Sequence, residues 1–277
     1  MSGFIKIKAK ELLLNNTLKL FFVSLLAFFL KLFCFSSVLL SSHFILVSNF
    51  FQSLILEYNS LLVHFIYSLF VVISYLLVFL FTSGIKTGEN AIYFMQSKGS
   101  KAKIKYLFIF LKPSLSFKCL YLYFKIFNLK LLWFLFFYSP PVFCGILLLF
   151  LYLNANIYTA VFFTLILGIS ILLPVSHFYF NCAKIKYNYA LYYLCTDFNL
   201  SVNEIINKSN NCSDGFIKDG VILKNSLFFW KLACLFIFPI PYVISFVKLT
   251  NAKFITFTNG LRTALPQNLN SPIIYNE

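Results

Sequence analysis

Charge is scarce in this chain, and negative charge scarcest. Only 11% of its 277 residues are charged, and Asp and Glu together number 8 against 23 Lys and Arg. A soluble domain carries about 25% charged and about 45–50% apolar residues; here 60% are hydrophobic and the mean hydropathy is +0.85. So little charge cannot clothe the surface of a water-soluble fold. The shortage excludes a soluble globular domain and implies a multi-pass membrane protein.

Motifs are missing as well. Seven cysteines stand at 34, 119, 144, 182, 195, 212 and 234, an odd number with no C-x-x-C, so they read as small buried hydrophobes rather than metal ligands or disulfides. No H-E-x-x-H, P-loop, G-x-G-x-x-G or G-x-S-x-G occurs, and each of those patterns is needed to place its nucleophile, metal or phosphate. No catalytic residue, metal or cofactor is expected. The net charge of +15 lies beside apolar runs rather than in a basic domain, which favours anionic lipid headgroups over nucleic acid as the counter-charge.

What the chain has is long apolar runs. About 20 such residues cross a bilayer, and five regions qualify, near 18–40, 61–81, 119–153, 157–180 and 227–249. Lipid demands that each be helical, because only a helix satisfies its own backbone there. The expected class is all-α, a polytopic transmembrane bundle over residues 1–250 with interfacial amphipathic helices and a polar, flexible tail at 251–277. Six spans result if the Ser139-Pro140-Pro141 break splits the third region. The first run extends well past a signal-peptide core and lacks a cleavage pattern, so it reads as a retained span.

Lysine sets the orientation. Residues 1–19, 82–118 and 181–226 carry sixteen lysines; residues 41–60 and 154–156 carry none, and the tail carries Lys253 and Arg262. The positive-inside rule then places the N-terminus and both long polar connections in the cytoplasm, at the cell membrane. In the first connection Lys98, Lys101, Lys105 and Lys112 share one arc at helical spacing. They are candidate contacts to headgroups of the cytoplasmic leaflet, against the plainer reading of a solvated loop whose lysines only enforce topology.

The polar passage TDFNLSVNEIINKSNNCSDG, residues 196–215, holds Asp197, Glu204 and Asp214, with Asp219 close behind. Ser201 and Glu204 form a capping-box pattern, Ile205 and Ile206 supply an apolar face, and Ser213-Asp214-Gly215 reads as a turn. The spacing of the four acids fits no metal-ligand pattern, so the passage reads as a connector. Tyr187, Tyr189, Tyr192 and Tyr193 just before it are expected at headgroup level.

Three pieces in order, IKAKELLLNN (7–16), KLLWFLFFYSPPVF (130–143) and YNYALYYLCTDFNLSVNEIINKS (187–209) leading to PIPYV (239–243), resemble a large uncharacterised family of bacterial multi-pass membrane proteins, a domain of unknown function. Pro140-Pro141 departs from the Pro-Gly common in that family, while Pro241-Tyr242 keeps its Pro-Tyr. The resemblance implies an integral membrane protein with no assigned activity and carries over no site residue.

Ionisable groups inside spans usually mark function, because placing them there is costly. With the boundaries above no Asp or Glu lies in a span, and the intramembrane polar candidates are Lys31, His64 and His177, with Lys125, Lys130 and Lys231 snorkelling from helix ends. Lys31 has two readings: the span begins near Leu32 and residues 11–30 lie in the interface, which is favoured, or Lys31 faces the bundle interior. The two histidines read as satisfied interior residues. The expected function is a non-enzymatic structural or accessory membrane protein, acting alone or with a membrane partner. The alternative is a transporter or permease component, with helices kinked at Pro140-Pro141 and Pro239/Pro241 lining a path.

Overall fold

The computed structural model describes the chain apart from residues 15, 49–52, 54–59, 101, 154–158, 229, 231–239 and 265–277. The described residues are mostly helical, with no strand among them. In order they form α1 (Ser2–Leu14), α2 (Thr17–Val47), α3 (Ser60–Ser97), two 3-10 turns (Ile104–Leu107 and Ile109–Leu111), α4 (Pro113–Leu153), α5 (Thr159–Ile185), α6 (Ala190–Thr196), α7 (Val202–Ser213), α8 (Ile217–Ser226) and α9 (Ile240–Ala264). Four helical stretches, in α2, α3, α4 and from α5 into α6, are long and apolar enough to cross a membrane.

Each of those four changes character part-way along. On α2 the stripe Leu20, Val23 and Ala27 is buried, and beyond Ala27 no described residue is; on α4 burial runs through Ser116, Cys119, Leu122 and Ile126, then nearly ceases. Helices α3 and α5 show the reverse order, mostly exposed up to residues 77 and 175 and increasingly buried thereafter. The molecule thus has an apolar half, where side chains such as Phe44 (76% exposed) and Leu61 (79%) point outward, and a packed half. Residues 28–47 of α2 are 20 positions, about 30 Å of helix at about 1.5 Å each, the thickness of a hydrocarbon core.

The packed half gathers the lysine-rich segments at one end. Ile5, Ala9 and Leu13 of α1 form an i, i+4, i+8 stripe within the same core as Val243, Phe246, Leu249 and Phe254 of α9, and the Phe4 and Phe257 rings lie 5.9 Å apart. A second core joins Cys119, Leu122 and Ile126 of α4 to Ala190 and Leu194 of α6 and Val202, Ile205 and Ile206 of α7. Helix α9 therefore sits beside α1, whereas five crossings from a cytoplasmic N-terminus would put the residues after 249 at the opposite end. It also runs to Ala264 with Ala252, Phe254, Ile255 and Thr258 buried, so 252–258 packs as helix rather than forming a flexible tail. The expected fifth span, 227–249, falls in part on residues 231–239, outside the described set.

Helix α3 continues sixteen residues past the expected boundary at 81 and ends in a Schellman motif. Gly99 takes φ 80°, its N–H donates to the Gln96 carbonyl at 3.0 Å, and Ser100 N–H reaches the Met95 carbonyl at 3.1 Å. The chain then folds back as the two 3-10 turns, seated on Gly84 and Gly88. A Cβ at Gly88 would lie 2.3 Å from the Leu107 carbonyl oxygen, and one at Gly84 2.7 Å from that of Phe110, so only glycine permits this approach of backbone to helix. The expected amphipathic α-helix through Lys98–Lys112 is not formed. The close seat on two glycines, with Pro113 just beyond, holds the segment in short turns.

Helix α4 runs unbroken through Pro140 and Pro141, as one helix and not two crossings. An aromatic seam binds it to α5: Phe134 stacks on Tyr138 at 4.6 Å and meets Phe180 at 5.6 Å, and Phe137 stacks on Tyr179 at 5.9 Å.

Candidate functional site: a shared buried carboxylate beside a polar cavity

The strongest concentration of chemistry lies where the two halves meet. Glu89, its side chain only 4% exposed, ion-pairs with Lys31 of α2 at 3.3 Å and with Lys248 of α9. Ser24 Oγ donates to Glu89 Oε1 at 2.9 Å and lies 2.8 Å from the Tyr93 hydroxyl, which reaches Ser245 at 3.3 Å. Helical spacing assembles the set. Glu89 and Tyr93 are one turn apart on α3, Ser245 and Lys248 one turn apart on α9, and Ser24 and Lys31 two turns apart on α2. Two ammonium groups face one carboxylate, so the cluster carries a formal excess of one positive charge. A buried carboxylate without partners would be heavily penalised; here three helices must converge to supply them.

Several sequence expectations change at this point. Lys31 is an interior-facing residue of an unbroken α2, so residues 11–30 are not a separate interfacial helix. Glu89 was missed because the lysines and polar residues around it close the apolar run at 81; the helix continues through them because its charge is matched from α2 and α9. His64 is exposed on α3, and His177 is exposed too, its Nδ1 2.9 Å from the Tyr138 hydroxyl across the α4–α5 seam; neither belongs to the interior. Lys98, Lys105 and Lys112 are exposed, with the Lys98 ammonium 5.0 Å above the Tyr192 ring, and Lys101 lies outside the described residues. Tyr187, Tyr189 and Tyr192, expected at headgroup level, are buried, with the Tyr189 hydroxyl 2.9 Å from that of Thr258.

The polar passage is built as its pattern implies. Ser201 caps α7: its Oγ accepts from Glu204 N–H at 3.3 Å while the Glu204 carboxylate accepts from Ser201 N–H at 2.7 Å. That backbone N–H, followed by the Ser201 hydroxyl, holds the Glu204 carboxyl below the usual carboxylate range. Asp197 accepts from Asn199 N–H at 3.0 Å, and Gly215 closes the helix with φ 90°. Lys118 and Lys125 of α4 tie the passage down, to the Phe198 carbonyl at 2.6 Å and to the Asn203 side chain. Among the described residues no group of three or more His, Cys, Asp or Glu is placed to hold a metal ion, and the six described cysteines are not joined in disulfides.

Beside the charge cluster opens a cavity of about 230 Å³ between α3, α6, α8 and α9. Asn90, Asn188, Lys224, Lys248 and Asn251 supply its polar lining, Leu191, Leu223 and Phe254 part of its apolar wall. Lys248 belongs to both features.

Neither a family model, nor a curated protein, nor a solved structure matches this chain. The four membrane-capable helices are compatible with an integral membrane protein, and function rests on the geometry alone.

Proposed function

We propose that the protein is a multi-pass integral protein of the cell membrane, N-terminus cytoplasmic, serving a non-enzymatic structural or accessory role through its packed cytoplasmic half. One observation carries the reading. Along all four apolar helices the exposed segments lie at one end and the packed segments at the other, and the packed end holds every lysine-rich segment, in keeping with the positive-inside rule. In this reading lipid covers the apolar half and anionic headgroups meet the lysine-rich border, Lys98, Lys105 and Lys112 included. Membership of the bacterial family that the motif order resembles is part of the same proposal. Glu89, Lys31 and Lys248 act as a clasp joining α2, α3 and α9.

The test is labelling of single cysteines by a membrane-impermeant maleimide in a background with the native cysteines replaced by Ser. Ser48→Cys is expected to react from outside in intact cells, whereas Asn210→Cys and Asn251→Cys react only after lysis. Reaction of Asn210→Cys in intact cells overturns the orientation.

The cavity favours a second reading, a transporter or permease component, because it borders Lys248, whose ammonium also holds Glu89. In that case Glu89→Gln leaves a well-folded protein that has lost a transport activity. A clasp instead shows its loss as instability.

A further inference from the structure

We infer that the α4–α5 seam, at Lys130 and Lys184 with Lys86 of α3 beside them, is a binding site for the phosphate headgroup of an anionic lipid. The lipid source rests on the membrane placement proposed above.

Helical register brings the lysines together. Tyr138 meets His177 and Phe134 meets Phe180, so α4 and α5 run antiparallel along the seam. The next rung sets Lys130, one turn before Phe134, opposite Lys184, one turn after Phe180. Tyr123 and Lys130 lie two turns apart on one face of α4, and the Lys86 ammonium stands 4.8 Å over the Tyr123 ring. Lys130 is close enough to both Lys184 and Lys86 to feel their charge.

Among the described residues none of these three lysines makes an ion pair or a hydrogen bond. Lys184 rests on the Phe180 ring, 3.9 Å from its centroid, and Lys86 on Tyr123. An aromatic face attracts a cation but carries no counter-charge. Glu89 stands three residues from Lys86 on α3, and Lys31 and Lys248 already share it. Neighbouring lysines are engaged instead: Lys118 with the Phe198 carbonyl, Lys125 with Asn203 and Lys224 with Asn181. Like charges facing each other across packed helices disfavour the contact. An anion set between Lys130 and Lys184 turns that repulsion into charge-assisted bonds, with lysine serving phosphate as a mobile point charge.

The surroundings select a lipid over a free anion. Tyr123, Phe127, Lys130 and Phe134 follow one another at i, i+4, i+7 and i+11, a single stripe on α4. Phe127 is 59% and Phe134 41% exposed, and Lys130 and Lys184 are half-buried beside them. Free phosphate would meet the ammonium groups and leave the rings uncovered, whereas a lipid offers oxygens to the one and acyl chain to the other. Lys130 stands inside α4, not at its end, four residues beyond Ile126, where burial on that helix nearly ceases. That is the border at which, in the proposed placement, lipid begins, and basic pockets between helices at that depth suit phosphate headgroups. Three cations favour a headgroup with more than one negative charge, such as a phosphomonoester.

The experiment measures thermal stability of the full-length purified chain in neutral detergent. The additions are phosphatidic acid in mixed micelles, phosphatidylcholine as the zwitterionic control, and inorganic phosphate. A saturable rise in Tm with phosphatidic acid, absent with phosphatidylcholine, supports the site. In Lys130→Gln and, separately, in Lys184→Gln the half-saturating concentration is expected to rise about tenfold or more, and either variant serves if the other does not fold. Lys105→Gln, an exposed lysine on the 3-10 turns, is expected to leave it unchanged. Without lipid, Lys130→Gln is expected to melt no lower than the native chain, because one repulsion is gone. No saturable rise with phosphatidic acid overturns the site, as does equal weakening by Lys105→Gln or none by the seam variants. A rise with inorganic phosphate that phosphatidic acid does not exceed overturns the lipid as ligand and marks a soluble anion. Resistance of the native chain to alkaline extraction from membranes is read separately, so loss of the site and loss of the membrane reading are told apart.

Discussion

The apolar and packed halves use the same residue types to opposite ends. On α4, Leu122 is fully buried among α6 and α7, and Leu149, on the same helix, is 60% exposed. Sequence alone treats the two alike. The packed half spends its leucines on neighbours, adds Ser, Thr, Asn and Tyr to hydrogen-bond across helices, and fixes α2, α3 and α9 on one carboxylate. The apolar half has little of this, apart from the aromatic seam between α4 and α5 and contacts such as that of the Phe35 and Phe79 rings at 5.8 Å. Hydrophobicity places a helix; small and polar residues decide what it touches.

That contrast can be broken first at the leucines. Leu122→Ala is expected to cost about 2–5 kcal/mol, as for a buried leucine with limited collapse, and Leu149→Ala less than about 0.5 kcal/mol, since it exchanges one lipid contact for another. Denaturation in mixed micelles checks the pair, and equal losses would erase the distinction between the halves. Next comes Glu89→Gln. Both lysines are about one-third exposed, so water offsets part of the loss, and about 2–3 kcal/mol is expected instead of the about 3–5 kcal/mol of a fully buried pair. A melting temperature lower by roughly 5–10 °C is the readout.

Gly88→Ala tests the seat of the 3-10 turns. Backbone, not a flexible side chain, blocks the new methyl, and a loss of about 1–3 kcal/mol with faster amide exchange over residues 104–111 is expected. The smallest effect belongs to the cap of α7, where Ser201→Ala is expected to cost about 1 kcal/mol. The capping box also gives a pH signature. Because the folded-state pKa of Glu204 is depressed, its contribution is present above the ordinary glutamate pKa and is lost as pH falls through the lower folded value. The stability difference between the native chain and Glu204→Gln is therefore expected to shrink on acidification through that window. A difference that is flat with pH would remove the carboxylate from the cap.

The all-helical class and the α7 cap were legible because they depend on neighbours in sequence: runs of apolar residues, and a Ser and a Glu three positions apart. The candidate site was not, because Lys31, Glu89 and Lys248 are brought together only by tertiary packing. A charged residue normally closes an apolar run, and nothing local announces that Glu89 is neutralised from helices 58 and 159 residues away. The tyrosines ahead of the polar passage, at the start of α6 and just before it, misled for a similar reason. An amphipathic ring suits a headgroup layer and also suits a core that offers it Thr258 or Asn259, and only the position of α9 decides between them. The lysine arc from Lys98 to Lys112 failed because it assumed helical continuity that Gly99, the two seat glycines and Pro113 deny.

The carboxylate of Glu89 also carries a timing consequence. Lys31 leaves the ribosome before it, but Lys248 follows 159 residues later, roughly 8–32 s at synthesis rates of about 5–20 residues per second. Through that interval the nascent chain holds one acid with half its final complement of cations, beside a groove on α3 that α9 has yet to fill. A product truncated before α9 would keep that defect permanently, with Glu89 holding Lys31 alone and the α3 face that packs on α9 left uncovered.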